Sequence, residues 1–563
     1  GKLEINPAVS PGILDTATWD RTEAVRALEA VPTSAWQGVA EAAAQGASLP
    51  LVPGVELYTS ACARHSDTLV CPARLPDGQQ VFLALGPQAQ DVGLGAPLAH
   101  WESAAALYPT DAPVIDRFLR TLAPDHSPRS LGPVPRLGVG TRMTTAVWPP
   151  IWQAMARRGF AANAIQNSVR ELNFLQTLLE AQPAEKNIAF GFGAIETGYT
   201  GSSFEGLWVA GVLDALRHGV VLPYGADADH IQVKRGADGL ARARRLLDAT
   251  RYYSFYTLDV SDVLDYGAMT VDGAALLDAR LADHGARREV VAFHQQPRRV
   301  GGYDYRPDTA TLGRLVGKYW GALDAVVAMY EYILGLKADW PFDLELSIDE
   351  HPNEVPTFDC LTSETELIFV LLEAQRRGVP LTHVAPNFGV EKGTDYRGDD
   401  GIPGFEARAQ ILCRIAAEFG VMADFHSGDD LSAASRQAIG RATGGRSHFK
   451  VSPNLQLLFA EVLAEHHPDL FRRWWQDALA YAQREAQNGS AFAAECIRQS
   501  DPARPSSHDA IFHNFSFAYV GRRNAAGQFI CREEFYSLSP GFYSAYQDCI
   551  TNYLIGLADD LLL

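Results

Sequence analysis

The 563-residue, 61.3-kDa chain carries 67 Asp and Glu against 48 Lys and Arg, a net charge of −19. That balance argues against a general nucleic-acid binder and against a protein seated on anionic membranes. With 47% hydrophobic and 20% charged residues, the composition is that of a soluble globular protein long enough for a large core and more than one domain.

Residues 1–130 read as an N-terminal α/β module. Extended runs at Thr68–Cys71 and Val81–Leu85 flank the turn Pro76-Asp77-Gly78, a hairpin signal. Ala-rich helical segments surround Ala24–Leu28 and Ala40–Ala44, and Pro124–Pro135 reads as a linker. His65 and His100 are expected to be structural. GKLEINPAVSPG at the N-terminus lacks the layout of a signal peptide. No apolar run approaches the roughly 20 residues that span a bilayer. Seven scattered cysteines without a CxxC pair suggest neither a disulfide framework nor a thiolate zinc site, so a cytoplasmic location is expected.

From Arg136 onward a repeating pattern predicts a (β/α)₈ TIM-like barrel over residues 131–455. Its strands are expected in RLGVG (136–140), FAANAIQ (160–166), VVLPYGADADH (220–230) and SFYTLDVSD (254–262). They continue in LELSIDE (344–350), LTHVAPNF (381–388), VMADFHSG (421–428) and SHFKVS (447–452). Helical segments between them start at capping-box pairs, Ser202/Glu205 and Ser363/Glu366. The run NIAFGFG (187–193) and the long 263–340 insert disturb the count, leaving an open doubly wound sheet as the alternative. Residues 456–563 read as a mostly helical extension with an aromatic tail that can close the domain or form a homo-oligomer interface.

The predicted strand ends are unusually polar. The third carries Asp227, Asp229 and His230, and the fourth Asp259 and Asp262. The fifth carries Glu345, Ser347, Asp349 and Glu350; the seventh Asp424, His426, Ser427, Asp429 and Asp430; the eighth His448 and Lys450. Any one Asp or Ser there could simply cap the following helix. Five such ends together point to a site, because barrel enzymes build theirs from the C-terminal ends of several strands. Carboxylates beside imidazoles suit a divalent metal ion, Mn, Co, Ni or Zn rather than Ca or Mg. The expected ligands are His230, Glu350 and His426, with Asp229 a fourth. Alternation along the strand does not separate Asp349 from Glu350 or exclude Glu345. No GxGxxG, Walker, GxSxG or HExxH motif occurs, and the Gly191/Gly193/Gly198 spacing is wrong for a dinucleotide turn. His466-His467 falls on a predicted helix.

Seven pieces in one order resemble the metal-dependent tagaturonate/fructuronate epimerases and related tagatose 4-epimerases. They are NAIQNSVREL (163–172), GADADH (225–230), YTLDVSD (256–262), ELSIDE (345–350), EKGTDYRGD (391–399), HSGDD (426–430) and TGGRSHFKV (443–451). The resemblance implies inversion of the hydroxyl-bearing carbon β to the ketone of a small sugar acid or ketose. That carbon's proton is not acidified by the carbonyl, so the carbon must be oxidised transiently or its bond to the α carbon must open. Without a dinucleotide motif, retro-aldol cleavage and readdition is expected, aided by a Lewis-acidic metal. Asp349, Asp429 and His448 are the proton-transfer candidates. Arg142, Gln166, Lys392 and Lys450 are candidates for the sugar's carboxylate and hydroxyls. The alternatives are a metal-dependent aldolase or ketose isomerase on the same scaffold, or a sugar-acid binder without turnover.

Overall fold

Eight parallel strands close into a barrel in the order of the chain. They are β1 (Arg136–Gly140), β2 (Ala161–Ser168), β3 (Tyr224–Gln232), β4 (Phe255–Asp259), β5 (Asp343–Ser347), β6 (His383–Ala385), β7 (Met422–Phe425) and β8 (His448–Val451). The computed structural model describes residues 6–102, 104–171, 173–182, 187–189, 193–195, 198–352, 355–426 and 428–563. Gly191, Ser427 and part of NIAFGFG lie outside the described residues.

Each strand is followed by an outer helix: residues 148–158, 204–217, 239–249, 309–337, 364–376, 401–418, 433–443 and 453–466. This is the expected barrel. The NIAFGFG run adds no ninth strand: Asn187–Ala189 pairs antiparallel with Gly193–Ile195 outside it. The 263–340 insert supplies the fourth outer helix, 29 residues long, preceded by short helices and a two-stranded hairpin.

Alternation sorts the strand residues. Leu137, Val139, Leu258, Leu344, Leu346, Val384, Phe449 and Val451 are buried in the apolar core. The opposite faces carry polar side chains that bond across the barrel interior, described below. Ser363 and Glu366 form the expected capping box. The other pairing shifts by one residue: Ser203 caps helix 204–217 through Gly206 N, and Ser202 Oγ instead donates to the Ala8 carbonyl. Counted from Ser203, the third helical residue is Gly206, which has no side chain to complete a box.

The N-terminal residues form a six-stranded antiparallel sheet with helices 22–29 and 33–44 on a second apolar core around Trp36, Leu69 and Leu83. The expected hairpin is there, Thr68–Arg74 against Gln80–Leu85, with Gly78 at φ +89° in its turn. One expectation is corrected: Cys62 and Cys71 form a disulfide, because the Ala63–His65 strand pairs antiparallel with Thr68–Arg74 and brings the two cysteines opposite each other. Cysteine spacing alone does not reveal a cross-strand pair. The Pro-rich stretch is strapped to the barrel rather than free. Leu131 N and Gly132 N donate to the Asp343 carboxylate, and Arg136 donates to the Gly132 carbonyl.

Beyond residue 466 the chain is mainly helical, and its last helix, Pro540–Leu561, packs on helices 148–158 and 453–466. Among the described residues, no helix is long and apolar enough to cross a membrane.

Candidate active site

The YGADADH strand does not run straight to its end. Its register against β4 shifts between Ala228 and Ile231, and His230 sits in the bulge at φ +56°. A non-glycine residue in the left-handed region is uncommon and costs about 1–3 kcal/mol, strain that clusters at functional sites. The bulge re-aims the imidazole into a cavity of about 540 Å³ at the C-terminal ends of the strands. There its ring meets the His426 ring edge-on, 5.0 Å between centroids.

Carboxylates surround the two rings. Asp259 Oδ2 lies 3.1 Å from His230 Nδ1, and Asp229 Oδ1 is 3.8 Å from His230 Nε2. The Glu345 oxygens lie 3.2 and 3.3 Å from His426 Nε2, and Asp349 Oδ2 is 3.1 Å from its Nδ1. Burial works to lower both histidine pKa values, but the carboxylates outweigh it. His230 is raised to about 9, chiefly by Asp229 and then Asp259, and His426 is held well above the ordinary range by Asp349 and Glu345. Glu350 on the same wall is pushed up by burial and by Asp349.

Lys450 crosses the interior from β8. Its ammonium donates to Asp229 Oδ1 (2.8 Å), Thr257 Oγ1 (2.8 Å) and Glu345 Oε2 (3.0 Å), and lies 3.2 Å from Asp227 Oδ2. These carboxylates hold its pKa well above normal despite burial. Deeper still, Asp424 bridges His383 Nδ1 (2.8 Å) and His448 Nδ1 (2.9 Å), and Arg136 pairs with Asp343 at 3.2 Å. Burial, with Arg136 nearby, keeps both of these imidazoles far below the ordinary range and so neutral. Gly138 makes room for the layer: a Cβ there would fall 2.4 Å from Gln166 Oε1 and 2.8 Å from His448 Nε2.

A different part of the same cavity is cationic and aromatic. Arg142 is fixed by Ser452 Oγ (2.6 Å) and Gln456 Oε1 (2.9 Å), and its guanidinium lies 3.9 Å over the Tyr199 ring. Arg170 lies 4.8 Å over Phe517. Lys392 and His513 also line this part. Burial depresses Arg142 and Lys392, whereas Tyr199, which burial would raise, is brought below its usual value by Arg142, Arg170 and Lys392. Several cavity residues hold buried polar atoms with no protein partner, among them Gln166 Oε1, Asn167 Oδ1, Arg170 Nη1, Gln232 Oε1 and Ser261 Oγ. Such atoms are costly unless something bonds them, and a polyhydroxylated ligand would.

Of the expected metal ligands, Asp229, His230, Glu350 and His426 all line this cavity, as do Arg142, Gln166, Lys392 and Lys450. Their donor chemistry fits a divalent cation. The carboxylates outnumber the ammonium groups acting on them, those of Lys450, Lys234 and Lys392, and Asp259 on His230 Nδ1 is the partner that fixes an imidazole for ligation through Nε2. Among the described residues, the group of three whose ligand atoms all lie within 4.8 Å of one another is a different one, His383, Asp424 and His448.

The other candidates stand elsewhere. His448 is fully buried beneath the cavity, tied to Asp424, and does not line it. Asp429 also stays off the cavity wall, accepting from Ser452 N (3.0 Å) and Asn454 N (2.7 Å), so it anchors the start of helix 453–466. Asp349 braces His426 rather than lining the cavity. Lys450 reaches the cavity, but its ammonium is fully engaged by protein oxygens. Sequence reasoning gave no role to Asp259, Arg170, Glu171, Tyr199 or His513. The NAIQNSVREL segment signalled Arg170 and Glu171; nothing local marks His513, which arrives from the C-terminal helices.

A family model described as UxaE, tagaturonate epimerase, matches residues 193–494. Among solved structures, native fructuronate-tagaturonate epimerase UxaE from Cohnella laeviribosi is 22% identical with a TM-score of 0.66, over 90% of this chain and 97% of that one. The same protein complexed with one glycerol gives 22% and 0.66, and with two glycerols 22% and 0.65, each over 93% of this chain and 99% of the other. At that identity the structures establish a shared fold. No curated protein matches significantly.

Proposed function

The chain belongs to the tagaturonate epimerase family, whose model spans more than half of its 563 residues, and on that premise we propose that this isomerase-class enzyme interconverts tagaturonate and fructuronate by metal-assisted retro-aldol cleavage and readdition. The observation that carries the reading is the polarity of one cavity. His230 and His426 meet there amid Asp229, Asp259, Glu345 and Glu350, and Arg142, Arg170 and Lys392 line the same hollow. A ketose acid has matching ends, ketone and hydroxyl oxygens at one and a carboxylate at the other.

Asp229, His230, Glu350 and His426 would hold the cation, with Asp259 and Asp349 orienting the imidazoles. When bound there, a divalent ion supplies Lewis-acid stabilisation of enediolate charge. Arg142, stacked on Tyr199 and anchored by Ser452 and Gln456, is set to take the substrate carboxylate with Lys392 and Arg170. Gln166, Asn167 and Gln232 offer their unpartnered oxygens to substrate hydroxyls. A carboxylate of the acidic wall receives the hydroxyl proton as the carbon–carbon bond opens. The aldehyde fragment then turns and is attacked on its other face. Cytoplasmic residence and self-association through the C-terminal helices belong to the same reading.

The experiment is incubation of metal-loaded protein with tagaturonate, and separately with fructose, with products identified by NMR before and after EDTA. Fructuronate formed from tagaturonate, and lost on chelation, is the expected result. Undiminished turnover in chelated, metal-free protein would remove the metal from this mechanism.

A further inference from the structure

We propose that Glu171 is a catalytic proton carrier, the group that protonates the aldehyde oxygen once the fragment has turned. This role presupposes the retro-aldol reading above. Inversion by that route moves the oxygen as well as the carbon face. Turning an aldehyde about its single bond carries an oxygen on a 1.23 Å C=O bond through roughly 2 Å. A donor aligned with the first position, at about 2.6–3.2 Å, is not aligned with the second, so a second group beside the turned oxygen serves the readdition better than one shared by both positions.

Glu171 has the attributes of that second group. It follows β2 in a tight turn, its amide donating to the Ser168 carbonyl at 3.0 Å, and it lines the cavity. Its side chain is buried, at 1% exposure, and among the described residues only Thr200 approaches the carboxyl as a donor, short of good hydrogen-bonding geometry. A carboxyl in that state is a liability unless a ligand meets it. Among the described residues, the charges and titratable groups acting with it are Arg142, Tyr199, Tyr253 and Tyr536, with Thr200 beside it. Burial pushes the carboxyl up to about 8 against the pull of Thr200 and Arg142. It thus stays protonated at neutral pH, ready to donate even beside a substrate carboxylate.

The step balances. Cleavage breaks the bond between the α and β carbons, places its electron pair in the enediolate and passes the hydroxyl proton to the acidic wall. Reclosure uses that pair to remake the bond while the aldehyde oxygen takes the proton of Glu171. The reverse reaction exchanges the two roles, and solvent restores both groups when product leaves.

The test compares wild type, Glu171→Gln and Glu171→Asp, with tagaturonate carrying carbon-13 at the α and β carbons as the probe. A carbon-13 isotope effect in wild type reports cleavage of that bond; its absence overturns the retro-aldol reading and this role with it. Given the effect, Glu171→Gln is expected to lower kcat by about 10²–10⁴-fold with KM changed less than about threefold, and to lose the ionisation near pH 8 from the rate profile. Glu171→Asp should recover part of the rate. Epimerisation by Glu171→Gln within about threefold of wild type, or equal loss in both variants, overturns the assignment while leaving the retro-aldol reading intact.

Discussion

The imidazoles of His230 and His426 stand edge to face, 5.0 Å apart, although they come from the third and seventh strand positions of the barrel. One of them reaches that place only through a bulge that puts a histidine backbone at φ +56°. Replacing His426 with Ala should abolish metal-dependent turnover and lower bound metal, measured by elemental analysis, while the circular dichroism spectrum stays that of the folded protein. Full activity in that variant would detach the seventh strand from the chemistry.

Lys450 is read as a structural cation, not a substrate ligand. Lys450→Met strands Asp227, Asp229 and Glu345 without their ammonium. Removing one partner of a buried ionic group costs about 3–5 kcal/mol. Urea denaturation should therefore show a large loss of stability along with lost activity. A variant of unchanged stability whose only defect is a raised KM would return Lys450 to substrate binding.

Arg142 and Lys392 should behave in the opposite way. Arg142→Lys loses the planar fork that meets Ser452, Gln456 and the Tyr199 face. KM for tagaturonate should rise about tenfold or more, since charge-assisted bonds contribute roughly 1.5–3 kcal/mol, with kcat for a neutral ketose little affected. Equal losses on acid and neutral substrates would place Arg142 away from the carboxylate.

Glu205 should make stability fall as pH rises from about 5 to about 7. Glu205, at the start of helix 204–217, is raised by burial from 4.5 to about 7. Between those values the folded state binds a proton that the unfolded state has released, so rising pH favours unfolding. Glu205→Gln should flatten the fall in Tm over that range. An unchanged slope would show that Glu205 ionises normally.

Gly138→Ala tests how tightly the polar interior is packed. The new Cβ would crowd Gln166 Oε1, His448 Nε2 and Lys450 Cγ, at 2.4, 2.8 and 3.0 Å. Overpacking of this kind costs about 1–3 kcal/mol, and activity should fall further than that alone implies, because Gln166 and Lys450 reach the cavity. Wild-type kcat in this variant would mean that the layer yields freely.

The eight strands, their helices and the strand-end cluster of Asp and His were legible in the sequence, because alternation and helical spacing are local and each strand carried its own. GADADH and HSGDD hold the two histidines that the fold brings together. What local pattern could not decide was which polar groups share a hollow. Lys450 and His448 sit two residues apart on one strand face, yet the first rises to the cavity and the second is sealed beneath it. Asp429, a proton-transfer candidate by sequence, accepts from two amides at a helix start, whereas Glu345, an alternative ligand, lies against His426. Cys62 and Cys71 meet only because two strands pair, and His513 joins Lys392 only because the C-terminal helices fold back over the barrel. Such contacts depend on where distant segments pack, and side-chain periodicity within a segment carries no record of its neighbours across the fold.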